Sequence, residues 1–201
     1  MPEPQSYTLA AFDFDGTLTR KDSMLAFIRY VRGDWFFFRG MVVLFPLLVL
    51  LKLKLVSEQR AKETMLKKFF GGMSAESLFE AGVSFAREKI PAILIPSAVE
   101  RLRWHQSQGH ICYLVTASLR FWVQAWAESQ GIRLIATEPV ISGGIFTGKI
   151  LGKNCKGSEK VRRLDEALTD KVIEKKYAYG DTSGDRAMLA WADEGFYRHF
   201  S

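Results

Sequence analysis

Cysteine is scarce in this chain: Cys112 and Cys155 are the only two in 201 residues. Two thiols cannot build a disulfide framework, so the fold must rest on a packed core. The three histidines, His105, His110 and His199, show no metal-ligand spacing and read as structural or surface residues. No internal repeat, low-complexity tract or nucleic-acid motif is present, and no nucleic-acid partner is expected. The longest uninterrupted apolar run, residues 41–51, has eleven residues. That is well short of the roughly 20 that span a bilayer. The start, Met1-Pro2-Glu3-Pro4-Gln5, lacks the basic and apolar segments of a secretory signal, so the expected location is cytoplasmic.

Apolar residues make up 48% and charged residues 25%, the balance of a chain that buries a core rather than staying disordered. The net charge of +6 is unevenly placed. Residues 29–68 hold nine basic residues and three acids, so the whole positive excess lies there.

Residues 7–13 read as a buried strand. Residues 22–89 read as mostly helical, with Ser57 and Ser74 as helix caps and Gly71-Gly72 between two helices. From Pro91 and Pro96 onward the pattern alternates. Helices are expected at 97–108, 119–130, 158–168 and 184–192, and strands at 111–115, 132–137 and 177–179. A hairpin is expected at 140–150 and an edge strand at Phe196-Tyr197. This predicts an α/β fold, a parallel sheet covered on both faces, with a helical unit inserted after the first strand. The expected division is a core of 1–20 and 91–201 and an insert of 21–90.

Residues 12–18, Phe12-Asp13-Phe14-Asp15-Gly16-Thr17-Leu18, carry the strongest chemical signal. Positions i and i+2 of a strand face the same side, so Asp13 and Asp15 would crowd one point. A hard cation such as Mg²⁺ would neutralise them. One carboxylate could then act as a nucleophile while the other handles a proton. Ligands of open parallel sheets bind beyond the carboxyl ends of the strands. Three further groups are expected there: Thr116 after 111–115, Lys156 before the helix at 158, and Asp181 with Asp185 after 177–179. A hydroxyl and an ammonium would hold phosphoryl oxygens, and the extra carboxylates would complete a Mg²⁺ site. Taken singly, Thr116 reads as a strand-end cap, Lys156 as a surface lysine, and Ser118 as the cap of the helix at 119.

These motifs resemble those of the haloacid dehalogenase superfamily: Asp13-Phe14-Asp15-Gly16-Thr17, Leu114-Val115-Thr116, Lys156-Gly157-Ser158-Glu159-Lys160, and Gly180-Asp181-Thr182-Ser183-Gly184-Asp185. The resemblance implies a Rossmann-like core with a helical C1 cap and a Mg²⁺-dependent phosphatase working through an aspartyl-phosphate. It implies Asp13 as nucleophile and Mg²⁺ ligand. It implies Asp15 as general acid/base, with its carbonyl on the metal. Thr116 and Lys156 would bind phosphate, Asp181 would ligate the metal and Asp185 would support it. The cap position is similar to that of subfamily IB, which contains phosphoserine phosphatase. Two departures stand out: Gly184 replaces an Asn, and Asp22 aligns with that enzyme's substrate-binding Glu, a candidate specificity position.

Residues 35–56, apolar and flanked by Arg39, Lys52 and Lys54, leave two readings open. They pack the cap, or they lie in a membrane interface against anionic lipid. A similar stretch occurs in phosphatidylglycerophosphatases of the same subgroup. The expected substrate is therefore a phosphorylated lipid head group, such as phosphatidylglycerophosphate, or a small metabolite such as phosphoserine. The location extends to the inner membrane face in the lipid case. Phosphotransfer to an alcohol and a catalytically idle membrane-binding module are the rival functions.

Overall fold

The computed structural model describes residues 6–200, so the N-terminal pentapeptide lies outside the described residues. Five parallel strands form the central sheet in the order β3-β2-β1-β6-β7. They are β1 (Ser6–Phe12), β2 (Ile111–Leu119), β3 (Arg133–Thr137), β6 (Val172–Gly180) and β7 (Glu194–Tyr197). A separate antiparallel hairpin pairs β4 (Pro139–Ser142) with β5 (Ile145–Ile150), one residue longer than the stretch expected to form it.

The apolar run of β1 is explained by its central place. It pairs with β2 on one side, Phe12 opposite Leu114, and with β6 on the other, Phe12 opposite Tyr179. Alternate side chains leave on opposite faces. Ala10 and Phe12 join Cys112, Leu114 and Tyr179 on one face, under α5 (Pro96–Ser107) and α6 (Arg120–Ser129). Leu9 and Ala11 join Tyr113, Val115 and Ala178 on the other, under α7 (Ser158–Ala167) and α8 (Arg186–Trp191). Each fully buried large apolar side chain contributes about 1.5–3 kcal/mol. A strand covered on both faces therefore cannot alternate apolar with polar.

Between β1 and β2 lie α1 (Ser23–Lys52), α2 (Glu58–Phe70), α3 (Ala75–Glu88) and the short α4 (Ile90–Ile93). Ser57 and Ser74 cap α2 and α3 as expected, accepting from Arg60 and Ser77 N–H. The cap and sheet share one apolar cluster, with Phe70, Phe85 and Trp122 of α6 packed around Phe27. α1 breaks at Gly33, whose φ of 76° and ψ of 162° interrupt the helix without ending the element.

Two strands are longer than the apolar pattern implied. β6 begins at Val172 and runs through Glu174, Lys175 and Lys176, which the apolar pattern left out; Glu174 accepts from Ser6 Oγ and Lys175 pairs with Glu194. β2 continues through Thr116 to Leu119, so Ser118 lies within the strand and does not cap α6; Leu119 holds that place without a side-chain bond.

Candidate active site

Asp13 follows the last residue of β1, and its N–H donates to the Tyr179 carbonyl at 2.9 Å, which ties it to the end of β6. Its carboxylate is buried and receives the Lys160 ammonium at 2.5 Å. The same ammonium donates to Asp185 Oδ1 at 2.6 Å and to the Val115 carbonyl at 2.7 Å. All three donors of this buried lysine are therefore used, joining the ends of β1, β2 and β6 through α7.

Two lysines meet here: the ammonium beside Asp13 belongs to Lys160, while Lys156, the lysine expected to bind phosphate, lines the same cavity and is paired with Glu58 of α2. Its aliphatic chain lies where a side chain at Gly184 would be, since a Cβ there would meet Lys156 Cε at 2.7 Å. A signal for Lys160 was present in the sequence. Lys160, Leu164 and Leu168 recur at i, i+4 and i+8, all buried, so a lysine stands on the sheet-facing stripe of α7.

Asp15 is held by different donors. Ser118 Oγ donates to one oxygen at 2.6 Å and Ser23 N–H to the other at 2.7 Å. Ser23 and Ser118 hydroxyls lie 2.9 Å apart, and Trp122 Nε1 donates to Ser23 at 3.0 Å. The carboxylate's angle is thus set from both cap and core. Thr116 is buried in the same cavity, its Oγ1 accepting from Ser118 N–H at 3.0 Å. Asp22 also lines the cavity, but its carboxylate caps α1 by accepting from Leu25 N–H at 2.9 Å.

Asp181 and Asp185 follow β6. Asp185 Oδ2 accepts from Thr182 N–H at 2.9 Å and Thr182 Oγ1 at 2.8 Å. Burial opposes its charge, yet Lys160 and the Thr182 donors hold its carboxyl below the usual range. Asp181 receives the Thr17 hydroxyl at 3.3 Å, and its carboxyl is raised by burial and by Asp185. Gly16 is required beside it: at φ +86°, a Cβ would come within 2.1 Å of Asp181 Oδ2.

Oxygen atoms of Asp13, Asp181 and Asp185 lie within 4.8 Å of one another. One ammonium serves this trio, and negative charge remains in excess. Burial pushes Asp13 up to about 7 despite Lys160, with Asp185 and Asp15 adding to the rise. Burial and Asp22 push Asp15 up to about 6 against the Ser118 and Ser23 bonds. An all-oxygen donor set with uncompensated charge fits a hard divalent cation.

The cavity above Asp13 has a volume of about 390 Å³. A third lysine, Lys62 of α2, reaches into it and donates to the Ala117 carbonyl at 2.5 Å and Asn154 Oδ1 at 2.9 Å. Burial lowers it to about 8, while Asp15 and Asp22 pull the other way. The sequence offered little to mark it, because it sits among the many basic residues of the cap.

This end of the sheet, with its acids and the lysine buried against Asp13, defines a hydrolase class. Residues 10–190 match the haloacid dehalogenase-like hydrolase family, and the chain belongs to it. Among curated proteins it is similar to Protein CicA of Caulobacter vibrioides, 38% identical over 195 residues, covering 96% of this chain and 86% of that one. Among solved structures it is similar to a protein described as of unknown function from Bordetella pertussis Tohama I. The identity is 28% and the TM-score 0.81, covering 94% of this chain and 88% of that one. It also shares its fold with a phosphoserine phosphatase solved as a phospho-aspartyl intermediate analogue. There the identity is 17% and the TM-score 0.67, covering 96% and 86%.

Proposed function

We propose that this hydrolase is a Mg²⁺-dependent phosphomonoesterase that works through a phosphoryl group carried on Asp13. The observation that carries the reading is the unequal treatment of two neighbouring carboxylates. Asp13 accepts directly from an ammonium, while Asp15 accepts from a hydroxyl and an amide N–H. An Asp13 oxygen attacks phosphorus as the bond to the leaving oxygen breaks. Asp15, held by the Ser118 hydroxyl and the Ser23 N–H, would give that oxygen a proton. The resulting Asp15 carboxylate then takes a proton from water as the water oxygen attacks phosphorus. Inorganic phosphate leaves and Asp13 is restored.

Lys160 offsets charge at Asp13, and the Thr116 hydroxyl offers a donor to the phosphoryl oxygens. Asp13 and Asp181, with Asp185 in support and the Asp15 carbonyl, would hold Mg²⁺, which supplies charge neutralisation at the phosphoryl oxygens. Lys156 remains at the entrance, where it can meet the rest of the substrate.

Residues 21–90 are the unit we expect to select the leaving group. Met24, Leu48, Leu51 and Met65 line the cavity that holds Asp13, and this apolar wall favours a phosphorylated lipid such as phosphatidylglycerophosphate. An anionic membrane on the cytoplasmic side would then present the substrate. A polar metabolite such as phosphoserine, the substrate implied by the names of several structural relatives, is the second reading; Lys62 supports it as a cation available to a substrate carboxylate.

Asp13→Asn tests the chemistry. Turnover of a soluble phosphomonoester with Mg²⁺ should fall by roughly a thousandfold or more, with the melting transition retained. Chelation should stop the wild type. Full activity in Asp13→Asn would overturn the assignment, and phosphate transfer to added alcohols in place of hydrolysis would make the protein a phosphotransferase.

A further inference from the structure

The cavity explains one face of α1; its other face is unaccounted for. Beyond Gly33 the inward positions recur at helical spacing. Phe37, Gly40, Met41, Leu44, Leu47 and Leu48 pack on the common cluster, with Gly40 close against the Phe69 ring. The outward positions should then be polar, as they are on α2, where Glu58, Arg60, Thr64, Lys67 and Lys68 are exposed. On α1 they are Trp35, Phe38, Val42, Val43, Phe45 and Val49, all exposed, with Leu53 and Leu55 just beyond. Trp35 is 77% exposed and Val42 73%. Arg39 is the one charge among the exposed positions from 35 to 50. A contiguous apolar strip of this size marks a contact surface.

A membrane is the occupant that the charges favour. Arg39 sits midway along the strip, and Lys52 and Lys54 are exposed at its end. Such side chains reach anionic head groups while the apolar face lies among the acyl chains. The mean hydropathy of 1.9 and the helix length would also permit spanning, but the packing opposes it. α2 lies against α1, and its Lys62 and Glu58 reach the catalytic cavity. Sinking α1 across a bilayer would carry these charges into hydrocarbon.

The strip also continues into the cavity. Leu48 and Leu51 line it, while Val49, Leu50 and Leu53 in the same turns face outward. We propose that α1 beyond Gly33 lies flat in an anionic leaflet, and that its last two turns form the path by which a phosphorylated lipid enters. The phosphate reaches Asp13 while the acyl chains stay in the leaflet. The path rests on the lipid-phosphate reading above; the membrane surface does not.

The test uses the full chain with vesicles of phosphatidylcholine alone or mixed with phosphatidylglycerol. Flotation should occur with the anionic vesicles and weaken with salt, and brominated lipid should quench a tryptophan signal that Trp35→Phe removes. Val42→Asp with Phe45→Asp should weaken binding by roughly tenfold or more, without changing melting or turnover of a soluble phosphomonoester. Turnover of a vesicle-borne lipid monophosphate should fall in parallel. Failure of wild type to float overturns the membrane surface. A concentration-dependent dimer that masks Trp35 without floating assigns the strip to a second copy and overturns it too. Flotation with equal turnover of vesicle-borne and soluble monoesters overturns the path alone. Flotation without any phosphatase activity upholds the surface and defeats the catalytic reading instead.

Discussion

The carboxyl end of the sheet and the outer face of α1 depart from the ordinary rule of burial in opposite directions. The first buries charge: Asp13, Asp185 and Lys160 are almost fully enclosed. The second exposes apolar groups: Trp35, Val42 and Phe45 stand in solvent. Each departure costs stability in an isolated folded chain, and each is compensated differently. The buried charges are compensated internally, where Lys160 gives all three of its donors to acceptors within the fold. The exposed strip has no internal compensation, which is why a partner must be sought for it.

That contrast is broken most severely at Lys160. Lys160→Met leaves Asp13 and Asp185 facing each other without the ammonium. In chelator the fold should lose about 3–5 kcal/mol, the usual cost of stripping one partner from a buried pair. Turnover with Mg²⁺ should fall by roughly 100- to 1,000-fold. Lys156→Met removes a rim ion pair with Glu58 and should cost about 1 kcal/mol or less in stability. Parallel denaturant titrations and steady-state assays compare the two. A dead Lys156→Met beside an active Lys160→Met would return the phosphate-binding role to Lys156.

The lysine exchange also measures what the sequence could reveal. Asp13, Asp15, Thr116, Asp181 and Asp185 were legible because each follows an apolar strand, and strand ends converge in a parallel sheet. Lys156 lies just before α7 and Lys160 in its first turn, and motif spacing alone singled out Lys156 and passed over the lysine that meets Asp13. The burial stripe with Leu164 and Leu168 separates them, but only once that face of α7 is known to meet the sheet. Ser118 was misread for a related reason. An apolar pattern cannot tell where β2 yields to α6 when Thr116, Ala117 and Ser118 continue the strand. The helical cap was legible in outline. The continuity of α1 through residues 31–40 was not, because the stretch changes direction at Gly33 without ending.

His105 sharpens the comparison, because it is buried without a carboxylate. It contacts Tyr179 Oη at 2.9 Å and His110 Nδ1 at 2.8 Å. Burial, with His110 and Arg101 nearby, lowers it to about 4. Above pH 6.5 it is neutral folded and unfolded, and its contribution to stability is complete. Below that the unfolded chain takes a proton that the folded chain refuses until about pH 4, so stability is lost across this interval. The raised carboxyls Asp13 and Asp15 act in the opposite sense, so the informative quantity is a difference between variants. The stability gap between wild type and His105→Gln, measured in urea with Mg²⁺ present, should narrow by about 3 kcal/mol from pH 7 to pH 4. A gap constant with pH would mean that His105 takes a proton as readily in the fold as in the unfolded chain.

The smallest effect is expected at the outer face of α1, and its smallness is informative. Leu44 and Val42 lie two positions apart on one helix, the first 5% exposed and the second 73%. Leu44→Ala should cost about 2–4 kcal/mol in solution, because it opens a cavity in the common cluster. Val42→Ser should change stability by no more than about 0.5 kcal/mol, the usual range for a surface substitution. A larger loss would mean that Val42 packs against something in the soluble protein, such as a second copy, and the strip would cease to be an unpartnered face. A negligible loss, combined with weaker flotation on anionic vesicles, locates the value of Val42 outside the fold and separates a binding surface from a packing surface within one helical turn.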